Sequence, residues 1–164
     1  MRKTNHIVVG IFTANLLGLP VFPAMFGSVL PDLDIKWSQP FVDRGLFGSH
    51  RGITHHAIIG AIFTTLAILF YFRPSLVHYT IASFFVGYVS HLLADICTKS
   101  GIPYWKNRNR FSLRLFSTGD ALEYIFVWTI VILVSLVMLY LEGIYYFVPA
   151  DILWIARLVH MVKW

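Results

Sequence analysis

Residues 75–97 read SLVHYTIASFFVGYVSHLLADIC, and this stretch decides the class of fold. From 75 to 94 it carries no Asp, Glu, Lys or Arg, and its only histidines are His78 and His91. A helix needs about 20 mostly apolar residues to cross a bilayer, with about 17 as the lower limit. The run reaches that length and closes on His91 and Asp95, spaced i and i+4 so that both leave one helix face. Ionisable groups at the end of an apolar helix are costly unless partnered, so the pair is a functional candidate. In the plainer alternative, Asp95 pairs with Lys99 one turn on and His91 hydrogen-bonds inside a bundle.

Three further uncharged apolar runs flank it, at residues 7–31, 57–72 and 124–141. With a mean hydropathy of +0.70 and 13% charged residues, against roughly a quarter in soluble domains, they predict an all-α, multi-pass helical membrane bundle. It has about four apolar helical segments in a single domain, 1–164. The 57–72 run is borderline and needs His55, His56 and Arg73 to complete a span. The 7–31 run is interrupted by Gly18, Leu19 and Pro20, and again by Pro23. Proline removes a backbone donor and disfavours helix in the residue before it. The run is therefore either one kinked span or a hairpin that dips in and returns. No small-x-small cleavage site closes it, so it is expected to be retained. The tail, 143–164, with Trp154, Arg157, His160, Lys163 and Trp164, reads as an interfacial helix.

Basic residues favour the cytoplasmic side. Lys36, Arg44, Arg51, Lys99, Lys106, Arg108, Arg110 and Arg114 lie in the two loops 31–56 and 98–123, eight of thirteen in all. A hairpin at 7–31 adds Arg2 and Lys3 to that side and sharpens the asymmetry. The net charge of +5 suits anionic lipid headgroups or a phosphate-bearing substrate. The single cysteine, Cys97, excludes a disulfide framework and a cysteine-built zinc site. Any metal must rest on His and carboxylate.

The same two loops hold the remaining candidates. Pro31-Asp32-Leu33-Asp34 offers two hard oxygen ligands after a turn-setting proline, or a helix cap. His50-Arg51-Gly52-Ile53-Thr54-His55-His56 places three imidazoles before an apolar run, and neutral imidazole is the commonest side-chain metal ligand. Thr54 is expected to cap the next helix, leaving either His55 or His56 as the ligand. Asp120 and Glu123 precede the last run; Ser117 and Asp120 also read as an acidic capping box. The basic 106–114 loop, with Trp105 and Phe111 beside it, either meets headgroups or grips a phosphate; nucleic acid is the less favoured partner. His6 can join these groups only if the first run is a hairpin.

His6, then Gly27-Ser28-Val29-Leu30-Pro31-Asp32-Leu33-Asp34, then His50-Arg51-Gly52-Ile53-Thr54-His55, then His91-Leu92-Leu93-Ala94-Asp95 with Thr98 and Gly101, resembles the YdjM-type family of bacterial inner-membrane proteins described as metal-dependent hydrolases. That family looks distantly similar to zinc-dependent phospholipase C and S1/P1-type nucleases. The similarity would place His6, Asp32 or Asp34, His55, His91 and Asp95 around a divalent metal, Zn²⁺ by preference; the clusters themselves add His50 and Asp120 as further candidates. Only His78 and His160 remain outside these motifs, so one or two ions are expected rather than three. The implied activity is hydrolysis of a phosphoester, lipid or lipid-linked in view of the location. Water would be activated by the metal, Arg51 or the 106–114 loop would neutralise developing charge, and Asp34 or Glu123 would act as general base. Two alternatives are a non-catalytic membrane stress or scaffold protein with a structural metal or polar cluster, and a transporter. Ligands at helix ends rather than at the midplane disfavour transport.

Overall fold

The computed structural model describes residues 1–34, 53–104 and 109–142. His50, Arg51, Lys106, Arg108 and the 143–164 tail lie outside the described residues, as does the side chain of Asp34.

Gly18 determines what happens to the first apolar run. Helix α1, Lys3–Leu16, ends in a left-handed residue, Gly18 with φ +64. The amides of Gly18 and Leu19 bond back to the carbonyls of Asn15 and Ala14 at 3.0 and 2.9 Å. That paired closure is the glycine-terminated C-cap in which two late carbonyls are satisfied together. Pro20 then starts α2, Val21–Val29, which continues as a 3₁₀ turn over Leu30–Asp34. Pro23 falls in the first turn of α2, where no intrahelical donor is lost. The two helices lie antiparallel: a Cβ on Gly10 would come within 2.7 Å of Ser28 Cβ. The broken run is thus a hairpin, and it brings His6 back toward Asp32.

The second constraint is the crossing of α2 over α4, Leu76–Cys97. A Cβ on Gly27 would sit 2.0 Å from the Phe84 carbonyl oxygen, and one on Gly87 would sit 2.1 Å from that of Ala24. Backbone meets backbone, the contact that small residues permit between apolar helices. Ala24, Gly27 and Ser28 face Ser83, Gly87 and Ser90, all buried. The Ser83 hydroxyl donates to the Pro20 carbonyl, holding the hairpin turn to α4.

A second 3₁₀ turn, Ile53–His55, leads into α3, Ala57–Tyr71. Phe63 of α3 packs edge-on against Tyr88 of α4, centroids 4.4 Å apart. Helix α5, Ala121–Glu142, meets the rest through Val127, which packs with Met1 and Phe116. It begins a turn later than a Ser117 cap would place it. Between α4 and α5 lies a feature outside the all-helical expectation: an antiparallel ribbon of β1, Ile102–Pro103, and β2, Arg110–Phe111. The chain after β2 closes the end of α4, with the Leu113 and Leu115 amides donating to the Ile96 and Cys97 carbonyls. These are among the carbonyls a helix leaves unpaired at its C-terminus.

The protein is therefore mostly helical. Among the described residues one helix, α4, is long and apolar enough to cross a membrane; its 22 residues extend about 33 Å, against about 30 Å of hydrocarbon. The stretches Val21–Leu33, Ala57–Tyr71 and Ala121–Leu133 are apolar but shorter.

The glycine contacts predict an ordered pair of substitutions. Gly87→Ala forces a methyl into a backbone carbonyl and should cost about 1–3 kcal/mol. Gly60→Ala meets only the movable Leu92 side chain, at 2.9 Å, and should cost less. Thermal unfolding in detergent checks the order, which fails if Gly60→Ala is the more damaging.

Candidate metal centre

Four separate chain segments deliver five titratable side chains to one interior space. His6 comes from α1, Asp32 from the first 3₁₀ turn, His55 from the second, and His91 with Asp95 from one face of α4. His55, His91 and Asp95 are 0% exposed, His6 1% and Asp32 6%. The sequence places the i, i+4 pair on α4; the hairpin and the α2–α4 crossing add His6 and Asp32, and the turn before α3 adds His55.

The separations have a pattern of their own. His6 Nε2 lies 3.4 Å from Asp95 Oδ1, and His55 Nε2 lies 3.6 Å from Asp32 Oδ1 and 3.5 Å from Asp95 Oδ2. His91 Nε2 is 3.7 Å from both Asp32 Oδ1 and Asp95 Oδ2, and 3.1 Å from His55 Nε2. The nitrogen–oxygen distances exceed the 2.7–3.2 Å of N–H···O hydrogen bonds. They lie close to the edges of a coordination polyhedron, ligands about 2.0–2.2 Å from a tetrahedral zinc standing about 3.3–3.6 Å from one another, while the His55–His91 nitrogen pair is within hydrogen-bond reach. Two overlapping groups, His6–His91–Asp95 and Asp32–His55–His91, each present ligand atoms within 4.8 Å of one another. Neither ring nitrogen of the buried His6 makes a hydrogen bond, although buried polar atoms are nearly always satisfied. The residues fit a divalent cation, and buried His and Asp of this kind could hold one.

The surroundings orient these donors. His91 Nδ1 lies 2.7 Å from the Ser28 carbonyl oxygen, which can only accept, so Nδ1 carries the proton and the neutral ring turns the Nε2 lone pair inward. The ring of His6 stacks on that of His91, centroids 3.6 Å apart. His55 is braced by Thr54 Oγ1, 3.0 Å from Nδ1, while the Tyr88 hydroxyl donates to the Thr54 carbonyl. Burial works to raise the Asp32 carboxyl, but interaction with His55 and the neighbouring imidazoles of His91 and His6 outweighs it and brings the group down to about 2. Asp32 is thus a carboxylate at any physiological pH. The Met1 amino group donates to Asp95 Oδ1 at 2.7 Å, placing one positive charge against the cluster.

Other candidates fall elsewhere. His56 is not in either group; as N-cap of α3 its ring accepts the Ile58 amide at 3.2 Å, the role expected of Thr54. Asp120 is exposed and stands outside both groups. Glu123 is fully buried, but its carboxylate accepts the Arg2 amide at 2.7 Å, Asn5 Nδ2 at 2.6 Å and the Gly119 amide at 2.7 Å. Three donors make it an anchor between the start of α1 and the start of α5, an arrangement that leaves little basicity for a general base. Sequence reasoning missed Asn5, Ser28 and Tyr88. Tyr88, three residues before His91, shares its helix face and was accessible to periodicity; the Ser28 contribution is a backbone carbonyl, which leaves no mark in the residue type.

A mostly helical chain with a span-length apolar helix whose end carries a buried His/Asp cluster defines a class, the helical membrane proteins with an interior polar centre. The chain belongs to the YdjM inner membrane protein family, whose model matches residues 1–162. It is 32% identical over 130 residues to the inner membrane protein YdjM of Escherichia coli (strain K12), covering 65% of this chain and 63% of that protein. The Shigella flexneri protein of the same name matches with the same figures. The chain therefore spans somewhat under two thirds of the length of these curated relatives. These names support a bacterial inner-membrane location. No solved structure gives a significant match.

Separating the adjacent histidines is a direct check. His56→Ala should remove a helix cap at a cost of about 1 kcal/mol and leave metal content unchanged. His55→Ala should lower metal content. Elemental analysis of purified variants, beside thermal melts, measures both, and the opposite pattern would exchange their roles.

Proposed function

We propose that this protein is a membrane-bound metal-dependent hydrolase acting on a phosphoester, with a lipid or lipid-linked substrate. The observation that carries the reading is the buried His6–Asp32–His55–His91–Asp95 cluster, with its polyhedral spacing and the unbonded nitrogens of His6. The five residues would hold one or two divalent ions, zinc being favoured by the nitrogen and oxygen donor set. Such an ion supplies Lewis-acid polarisation of a phosphoryl oxygen and a water acidic enough to act as nucleophile near neutral pH.

The chain's own residues do the remainder. Ser28 fixes the His91 tautomer, and Thr54 with Tyr88 fixes the His55 ring. Asp34 and Arg51 are proposed as general base and charge-neutralising group, flanking the cluster in sequence. Position along α4 favours a headgroup-level substrate. Asp95 is two residues from the end of the helix and His91 six, or about 3 and 9 Å along its axis. On a helix only about 3 Å longer than the hydrocarbon is thick, that puts the cluster just inside the boundary, nearer to the headgroup end of a lipid than to its chain end. The wider arrangement proposed is multi-pass, with the cluster and its basic loops toward the cytoplasm.

One observation favours a second reading. The cluster is almost wholly enclosed, and structural zinc sites are closed while catalytic ones keep an open position. A non-catalytic membrane stress or scaffold protein would use the same residues as a lock between helices.

Metal analysis of detergent-purified protein tests the common premise. Wild type should carry about one or two zinc equivalents, and the double variant His91→Ala with Asp95→Ala close to none. Metal retention should fall on acidification, since only neutral imidazole binds, and because burial holds the His6 imidazole below its ordinary value the loss should come below the ordinary imidazole range. Equal, negligible metal in wild type and variant would end the hydrolase and structural-metal readings and leave the metal-free polar lock. Phosphate release from lipid phosphoesters by the metal-loaded wild type, absent in the double variant, selects the hydrolase; none from either selects the lock.

A further inference from the structure

The segment that closes α4 carries a surface the metal centre does not use. Residues 110–116 read RFSLRLF and pass the end of the helix, extended at Arg110–Phe111 and turned at Arg114. Their alternate residues Phe111, Leu113 and Leu115 are 54%, 54% and 50% exposed, while Phe116 is buried against Met1 and Val127. Arg110, just before Phe111, and Arg114, between Leu113 and Leu115, are exposed, as is Lys99 where the helix ends. Phe111 and Leu113 share a face of the chain, the left-handed Arg114, with φ +55, turns it before Leu115, and the three exposed side chains make a short apolar row along the segment, bordered by cations. Exposed aliphatic and aromatic side chains in a row are expensive in water.

The depth of this row is set by hydrogen bonds already described. Leu113 and Leu115 bond to the carbonyls of Ile96 and Cys97, and the Lys99 amide bonds to the Phe116 carbonyl at 2.9 Å. The row is therefore fastened to the level at which the span-length helix leaves the hydrocarbon. Apolar groups bordered by Arg and Lys at that level suit the boundary between headgroups and acyl chains of an anionic leaflet.

We propose that Phe111, Leu113 and Leu115 form an interfacial anchor that inserts into an anionic leaflet, with Lys99, Arg110 and Arg114 over its phosphates. The anchor is continuous with the end of α4 and independent of any metal. It holds the end of the helix, and with it Asp95, at a constant depth below the surface.

The test uses the full chain in proteoliposomes. In a Cys97→Ser background, an environment-sensitive fluorophore is attached at Leu113→Cys and, in a second preparation, at Leu115→Cys, so that the result does not depend on one variant folding. In phosphatidylglycerol-containing vesicles the emission should be blue-shifted. A nitroxide near the top of the acyl chain should quench it about twofold more than one at the chain end, consistent with insertion of about 5–10 Å. Arg110→Glu with Arg114→Glu, or replacement of phosphatidylglycerol by phosphatidylcholine, should reduce both effects. Water-like emission at both positions overturns the proposal. So does blue-shifted emission that no lipid nitroxide quenches, which would mean that protein covers the row. Equal quenching in neutral and anionic vesicles overturns the choice of an anionic leaflet.

Discussion

Five titratable side chains share a space with almost no access to water, and the rest of the structure is arranged so that they can. Burying a carboxylate or an imidazolium alone costs several kcal/mol, and the penalty is recovered only when opposite charge or metal lies within reach. Here two carboxylates, Asp32 and Asp95, face three imidazoles and the Met1 amino group. No single helix could supply that set. It takes a hairpin to return His6, a 3₁₀ turn to present Asp32, and a second such turn to bring in His55. The local oddities of the sequence, glycine and prolines inside an apolar run and histidines crowded before another, are the means by which distant residues reach one point.

The readable parts of this protein were those governed by local chemistry. The i, i+4 spacing of His91 and Asp95 places both on one face whatever surrounds them, and the structure keeps them together. The interruption at Gly18 and Pro20 was equally visible, though the sequence alone left a kink and a hairpin open. The choice falls to the left-handed Gly18 and the amides closing behind it, since a C-cap terminates a helix where a kink would continue it. What stayed hidden depends on approach between segments. Gly27 and Gly87 read as ordinary small residues in apolar runs until their carbonyl contacts are seen. The same holds for Glu123: its place before an apolar helix fits a base, a ligand or a cap, and only the Arg2, Asn5 and Gly119 donors select the anchor. The pairing of Ile102–Pro103 with Arg110–Phe111 was missed because two-residue strands are too short to show periodicity.

The capping of α3 illustrates how adjacent identical residues acquire different work. His55 and His56 are indistinguishable by composition, and both are buried. The 3₁₀ turn ends at His55, so its ring points into the cluster, while His56 adopts extended backbone with φ -70 and ψ 137 and turns its ring back to the helix. One backbone change across a single peptide unit separates a candidate ligand from a cap.

The contact between α2 and α4 fixes one side of the cluster by backbone against backbone. With carbonyls lodged where side chains would stand, neither helix can slide without collision, so Asp32, His91 and Asp95 belong to one nearly fixed frame. His55 reaches that frame from a three-residue turn, through a threonine and a tyrosine hydroxyl. The cluster is therefore framed by packed backbone on one side and, on the His55 side, by two hydroxyls.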